Sequence, residues 1–140
     1  MKDFRPLLTA PSVPASRRVQ ALLEKGHVGK AISLAAREGL CIEVEDLERC
    51  VRKLYNSGSP GPLLAVAGTK NVALVYSVRD LLLRALEVGD NHGFLKYMYR
   101  LRVRGLAQEA RRAIASVKRR APVEAEAWER KLLAASLLDE

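Results

Sequence analysis

Aromatic residues are scarce in this 140-residue chain, with two Phe, one Trp and four Tyr, so its core must be assembled from aliphatic side chains. Leu, Ala, Arg and Glu are abundant instead, a composition that favours helices over strands. Cysteine is nearly absent: Cys41 and Cys50 are too few for a disulfide framework, and with His27 and His92 they form no close pair of the kind structural zinc requires. Long apolar runs are also missing. Stretches such as residues 72–76 fall far short of a membrane span, and residues 2–6 lead into nothing like a secretory signal. A reducing, cytoplasmic setting is expected, with no membrane partner, no metal and no cofactor. Only two Gln and three Asn occur, and scarcity of these thermolabile amides is a compositional habit of proteins from hot environments.

What is present describes one globular domain, at 49% hydrophobic and 29% charged residues. Residues 1–15 contain Pro6, Pro11 and Pro14 without apolar periodicity and read as an extended arm; residues 16–140 read as a single all-helical domain. Ser16 is placed as an N-cap, followed by Val19, Leu22 and Leu23 at helical spacing up to Gly26. Val28, Ala31, Ile32 and Ala35 mark a second helix ending near Gly39. Over residues 43–55 acids gather at the start and bases at the end, and Glu45 with Arg49 and Glu48 with Arg52 stand four apart. Residues 56–62, with two prolines and two glycines, are expected to form an exposed loop before a short apolar piece over 63–67.

A long helix is then expected over 72–87, and a turn at Gly89, Asp90 and Asn91. Residues 93–104 fit a helix through Phe94, Tyr97, Met98 and Leu101. They also fit a strand through the alternation of Tyr97, Tyr99, Leu101 and Val103 with arginines; helix is the reading adopted. Leu106, Ala110, Ala113, Ile114 and Val117 stripe another helix. Pro122 opens a last one, with Trp128, Leu132, Ala135 and Leu138 directed inward. The expected fold is all-α, about seven helices in stacked antiparallel hairpins, as a short α-solenoid or a compact bundle.

Charge is unevenly distributed. Residues 96–120 hold nine bases (Lys96, Arg100, Arg102, Arg104, Arg111, Arg112, Lys118, Arg119 and Arg120) and one acid, Glu109, which matches the net +8 of the whole chain. A compact field of one sign with tyrosines beside it fits a polyanion, because phosphate contacts release counterions and aromatic faces stack on bases. On a helix, Lys96, Arg100 and Arg104 share one stripe with Tyr99 adjacent, while Arg111, Arg112, Lys118 and Arg119 share the outer face of the next helix. The competing explanation is a solvated face neutralised by Glu124, Glu126 and Glu129. Three acids cannot balance nine bases, so binding is preferred.

A faint duplication is also visible. Leu22, Leu23, Glu24 and Gly26 are echoed by Leu86, Glu87 and Gly89, and Gly39-Leu40 by Gly105-Leu106, at offsets of 63 and 66 residues. Gly26-His27-Val28-Gly29-Lys30-Ala31-Ile32 with Leu34 and Gly39-Leu40 resembles the turn and second helix of a tetratricopeptide or pentatricopeptide repeat. Residues 105–110, with Pro122 and Trp128, are similar. The resemblance implies close-packed helix pairs and a concave face that takes peptides or single-stranded RNA.

Other chemistry has simpler explanations. Glu43, Glu45, Asp46 and Glu48 suit a helix start, Cys50 a core position, and His27 and His92 turns after glycines; residues 26–30 lack the long cradle of a phosphate loop. The expectation is therefore a non-catalytic protein that binds RNA or single-stranded DNA as a small subunit or accessory factor of a nucleoprotein complex, with other protein subunits as partners. The alternative is a helical scaffold that grips an acidic peptide or partner helix, recognisable by a partner that survives nuclease treatment.

Overall fold

The computed structural model describes residues 14–67 and 75–139. Among these residues there are eight helices and no strand: α1 (Ala15–Glu24), α2 (Val28–Arg37), α3 (Val44–Asn56), α4 (Gly61–Ala65), α5 (Val78–Glu87), α6 (Asn91–Leu101), α7 (Ala107–Lys118) and α8 (Pro122–Ala134). The arm expected over 1–15 falls, up to residue 13, outside the described residues, as does the 72–74 start of the expected long helix.

Local chemistry sets the boundaries and corrects several expectations. Ser16 does not cap α1; the helix starts at Ala15, where the Pro14 carbonyl accepts from the Arg17 and Arg18 amides at 2.9 and 3.2 Å. The helix expected up to residue 87 starts only at Val78. Ser77 is extended, its hydroxyl accepts from the Asp80 amide at 3.0 Å, and the Asp80 carboxylate accepts in return from the Ser77 amide, so the two form a reciprocal cap. Of residues 56–62, Asn56 ends α3 and Gly61 and Pro62 open α4, a first-turn position that proline tolerates. The short apolar piece is thus an eighth helix. Of the ambiguous stretch, residues 93–101 are helix α6, while 102–104 lie beyond its end, so Arg104 does not continue the stripe of Lys96 and Arg100. Asp90 caps α6 by accepting from the Gly93 amide at 2.9 Å, and a Cβ at 93 would collide with the Asp90 carboxylate. On α3, Arg49 pairs with Asp46 at 3.0 Å, three residues back, and not with Glu45.

Helices adjacent in sequence pack as the hairpins α1/α2, α3/α4, α5/α6 and α7/α8. Further contacts join α1 to α3, α2 to α4, α4 to α6 and α6 to α8. Odd-numbered helices thus form one layer and even-numbered helices another, with aliphatic side chains between them. Phe94, Leu63, Leu81, Leu82, Leu95, Met98 and Leu132 are fully buried, and no polar or charged residue is buried among the described residues. Each such side chain contributes about 1.5–3 kcal/mol of burial. Polar links bridge the odd layer. Arg84 donates to the carbonyls of Tyr55 (3.0 Å) and Asn56 (3.4 Å), Tyr55 stacks on Tyr76 with centroids 4.0 Å apart, and Arg79 donates to the Gly105 carbonyl at 3.4 Å.

The duplication is a real geometric register. The starts of α1 and α5, of α2 and α6, and of α3 and α7 are each separated by 63 residues. Buried positions coincide under this shift: Val19 with Leu82, Ala31 with Phe94, Ala35 with Met98, Leu47 with Ala110, Cys50 with Ala113, and Val51 with Ile114. Backbone conformation coincides too. Gly26 and Gly89 have φ of 83° and 82°, and Gly39 at φ 67° corresponds to Arg102 at φ 54°. The offset of 66 that pairs Gly39 with Gly105 is therefore not the structural one. Glycine at 39 is matched by an arginine in the left-handed region, where only glycine is at ease.

Candidate nucleic-acid interface

All nine bases of residues 96–120 are exposed, whereas the three aromatic rings beside them, Tyr97, Tyr99 and Trp128, are partly buried. Lys96 and Arg100 stand four apart on the solvent side of α6, opposite the fully buried Phe94, Leu95 and Met98. Their charged ends lie 5.2 and 5.6 Å from the centroid of Tyr97. On α7 the bases occupy the side away from Ala110, Ala113 and Val117 and spread over an arc of roughly 120° at 100° per residue. Arg111 and Lys118 border a groove of about 410 Å³ shared with Glu126 and Glu129 of α8. Arg112 opens to the other flank of α7, in a groove shared with Tyr55, Asp80 and Glu87. Arg119 and Arg120, at the end of α7, border a cleft with Asp90, Asn91 and His92. The structure thus brings Lys96 to Arg100, Arg111 to Lys118, and Arg119 to Arg120, but sends Arg111 and Arg112 to different grooves.

The bases differ in how far the protein itself engages them. Arg112 meets Glu109 at 3.8 Å, the one ion pair to any of the nine among the described residues. Arg104 donates to the Ser136 carbonyl at 2.8 Å and Arg111 to the Leu138 carbonyl at 2.6 Å, so both hold the segment in which Leu137 and Leu138 are buried. Charge-assisted bonds of this kind make these two arginines part of the fold. Arg102 lies 4.3 Å over the Tyr99 centroid and donates to the Tyr99 carbonyl. Among the described residues no hydrogen bond or ion pair engages the side chains of Lys118, Arg119 or Arg120. Glu124, one of the expected neutralising acids, lies 3.8 Å from His92 instead.

Tyr99 is not an open platform. Trp128 meets its ring edge-on at 6.4 Å, Arg102 covers a face, and Lys131 reaches both rings, 5.9 Å from the Tyr99 centroid and 5.0 Å from that of Trp128. Trp128 and Lys131 were not among the sequence candidates. Trp128 is striped with Leu132 and Ala135 as if for the core, yet α8 has no further helix on its outer side among the described residues and leaves the indole half-buried. The sequence signal for Lys131 was its spacing of three from Trp128. No site for a metal is formed by three or more His, Cys, Asp or Glu among the described residues, and no helix among them is long and apolar enough to cross a membrane. Comparison with protein families, curated proteins and solved structures finds no match to this chain.

Proposed function

We propose that the protein binds a single-stranded polyanion, RNA or single-stranded DNA, without catalysis, as a small subunit or accessory factor of a nucleoprotein assembly. The observation that carries this reading is the set of exposed bases on α6 and α7 that the fold does not neutralise. One of nine is ion-paired among the described residues, three of them (Lys96, Arg100 and Arg102) lie over tyrosine rings, and Lys131 of α8 lies over Tyr99 and Trp128. A guanidinium stacked on a tyrosine keeps its outward edge free for phosphate, and the ring limits its rotamers. Support comes from charge and aromatic geometry alone and owes nothing to the tetratricopeptide-like resemblance of residues 26–40.

The test spares Arg104 and Arg111, which serve the fold. Changing Lys96, Arg100, Lys118, Arg119 and Arg120 together to Glu should lower affinity for poly(U) or oligo(dT) on the order of a hundredfold, with helicity by circular dichroism unchanged. The slope of log affinity against log salt should shrink by about 0.7 for each phosphate contact removed. Unchanged affinity in a folded variant rejects the reading.

A further inference from the structure

A second charged surface lies at the other end of the stack. α1 and α2 enclose a groove of about 830 Å³ that reaches the end of α4, and four bases edge it: Arg18 and Lys25 from α1 and its cap, Lys30 and Arg37 from α2. No carboxylate lines it, and no hydrogen bond or ion pair engages those four side chains among the described residues. Its floor is apolar, formed by Leu22, Leu34 and Val66.

The internal register shows what kind of surface this is. Shifted by 63 residues, Arg18 corresponds to Leu81 and Leu22 to Ala85, both fully buried, on a hairpin, α5/α6, against which α4 packs. Over α1 no helix occupies that side among the described residues, whereas the α2 side of the groove, with Ser33 and Arg37, corresponds to Lys96 and Arg100 on the solvent side of α6. Lys25 and Lys30 stand where the second hairpin has Val88 and Gly93. On each helix the two bases are seven residues apart, two turns or about 10.5 Å, and the helices run antiparallel, so the charges mark the corners of a rectangle around the apolar floor.

We infer that this groove docks an acidic amphipathic helix of a partner protein, one whose apolar stripe fills the floor and whose Asp or Glu residues, repeating every seven positions on both flanks, meet the four bases. Heptad flank charges select partners in this way. No aromatic side chain lines the groove, which leaves a nucleobase nothing to stack on. This site is separate from the α6 and α7 bases, and either can fail alone.

The experiment uses the full chain and two synthetic three-heptad helices with Leu at the core positions, one with Glu and the other with Lys at the flanking positions, followed by fluorescence anisotropy near physiological salt. The Glu peptide should bind saturably and the Lys peptide should not. Combined Arg18→Glu, Lys25→Glu, Lys30→Glu and Arg37→Glu, all at exposed positions, should reverse that preference by roughly tenfold or more. Ser33→Trp, which fills the groove without changing charge, should abolish Glu-peptide binding, whereas the α6/α7 charge-reversed variant should retain it. Equal binding by Ser33→Trp means charge attraction without a site and overturns the inference. So does displacement of the peptide by oligo(dT), or self-association of the unmodified chain in sedimentation that the fourfold substitution dissolves, since each names a different occupant.

Discussion

Replacing Arg102 tests the backbone and the surface at once. Its φ of 54° and ψ of 48° place an L-residue in the left-handed region at a cost of about 1–2 kcal/mol, at the position where the first half of the chain has Gly39. The side chain offsets part of that cost. The guanidinium 4.3 Å over Tyr99 contributes about 0.5–1 kcal/mol, and its exposed bond to the Tyr99 carbonyl about as much again. Arg102→Ala keeps the backbone strain and loses both contacts, so it should be destabilised by about 1–2 kcal/mol. Arg102→Gly loses the same contacts but relieves the strain, less about 0.5–1 kcal/mol for the greater freedom of glycine in the unfolded chain, and should stay within about 1 kcal/mol of the parent. The two variants should therefore differ by about 1 kcal/mol, or roughly 4 °C in thermal midpoint, with Gly the more stable. Both lack the guanidinium and should lose oligonucleotide affinity by the same factor. An Ala variant as stable as the Gly variant in urea titrations refutes the left-handed assignment, and unequal affinities refute the assignment of the guanidinium to binding.

Ser77→Ala removes the hydroxyl from the α5 cap and should cost about 1 kcal/mol in urea-unfolding midpoint, while Ser77→Asp should retain most of the stability. Arg111→Ala should cost about 1–2 kcal/mol by releasing the Leu138 carbonyl, with faster amide exchange at Leu137 and Leu138 as the local readout; unchanged exchange there would contradict the clamp. Burial pushes the Cys50 thiol above its ordinary range, and nearby Lys53 pulls it back only in part. The unfolded thiol then ionises at lower pH than the folded one. Its contribution is complete below the ordinary thiol pKa, around 9.0, and is lost as pH rises from there toward the folded value. Unfolding midpoints from pH 7 to 10 should therefore fall more steeply for the parent than for Cys50→Ala, and a thiol reagent should modify exposed Cys41 but not Cys50 in the native protein.

Helix class was legible because it rests on repetition. Val19 with Leu23, Leu47 with Val51, and Ala110 with Ile114 and Val117 repeat at helical spacing and are all buried. Boundaries were less so, because they depend on single polar atoms. The reciprocal cap of Ser77 and Asp80 lies directly after an apolar run that reads as helix, and the Asp90 cap of α6 lies inside what looks like a plain turn. The helix-or-strand ambiguity of residues 93–104 arose because alternating tyrosines and arginines satisfy both periods; burial of Phe94, Leu95 and Met98 on one side selects the helix. The run of bases over 96–120 could be seen in the sequence, but not that Arg104 and Arg111 are committed to the last turn. Arg18, Lys25, Lys30 and Arg37 escaped notice because they come together only when two helices fold against each other.

A stack of near-equivalent hairpins has a built-in hazard, since whatever lets one unit sit on the next also lets one molecule sit on another. At the α1/α2 end the substitution of Arg18 for the leucine found at 81, and of lysines at 25 and 30, puts like charges where an incoming unit would need hydrocarbon. Desolvating those ammonium and guanidinium groups against an uncharged helix is unfavourable, so stacking of an uncharged unit on this end is disfavoured.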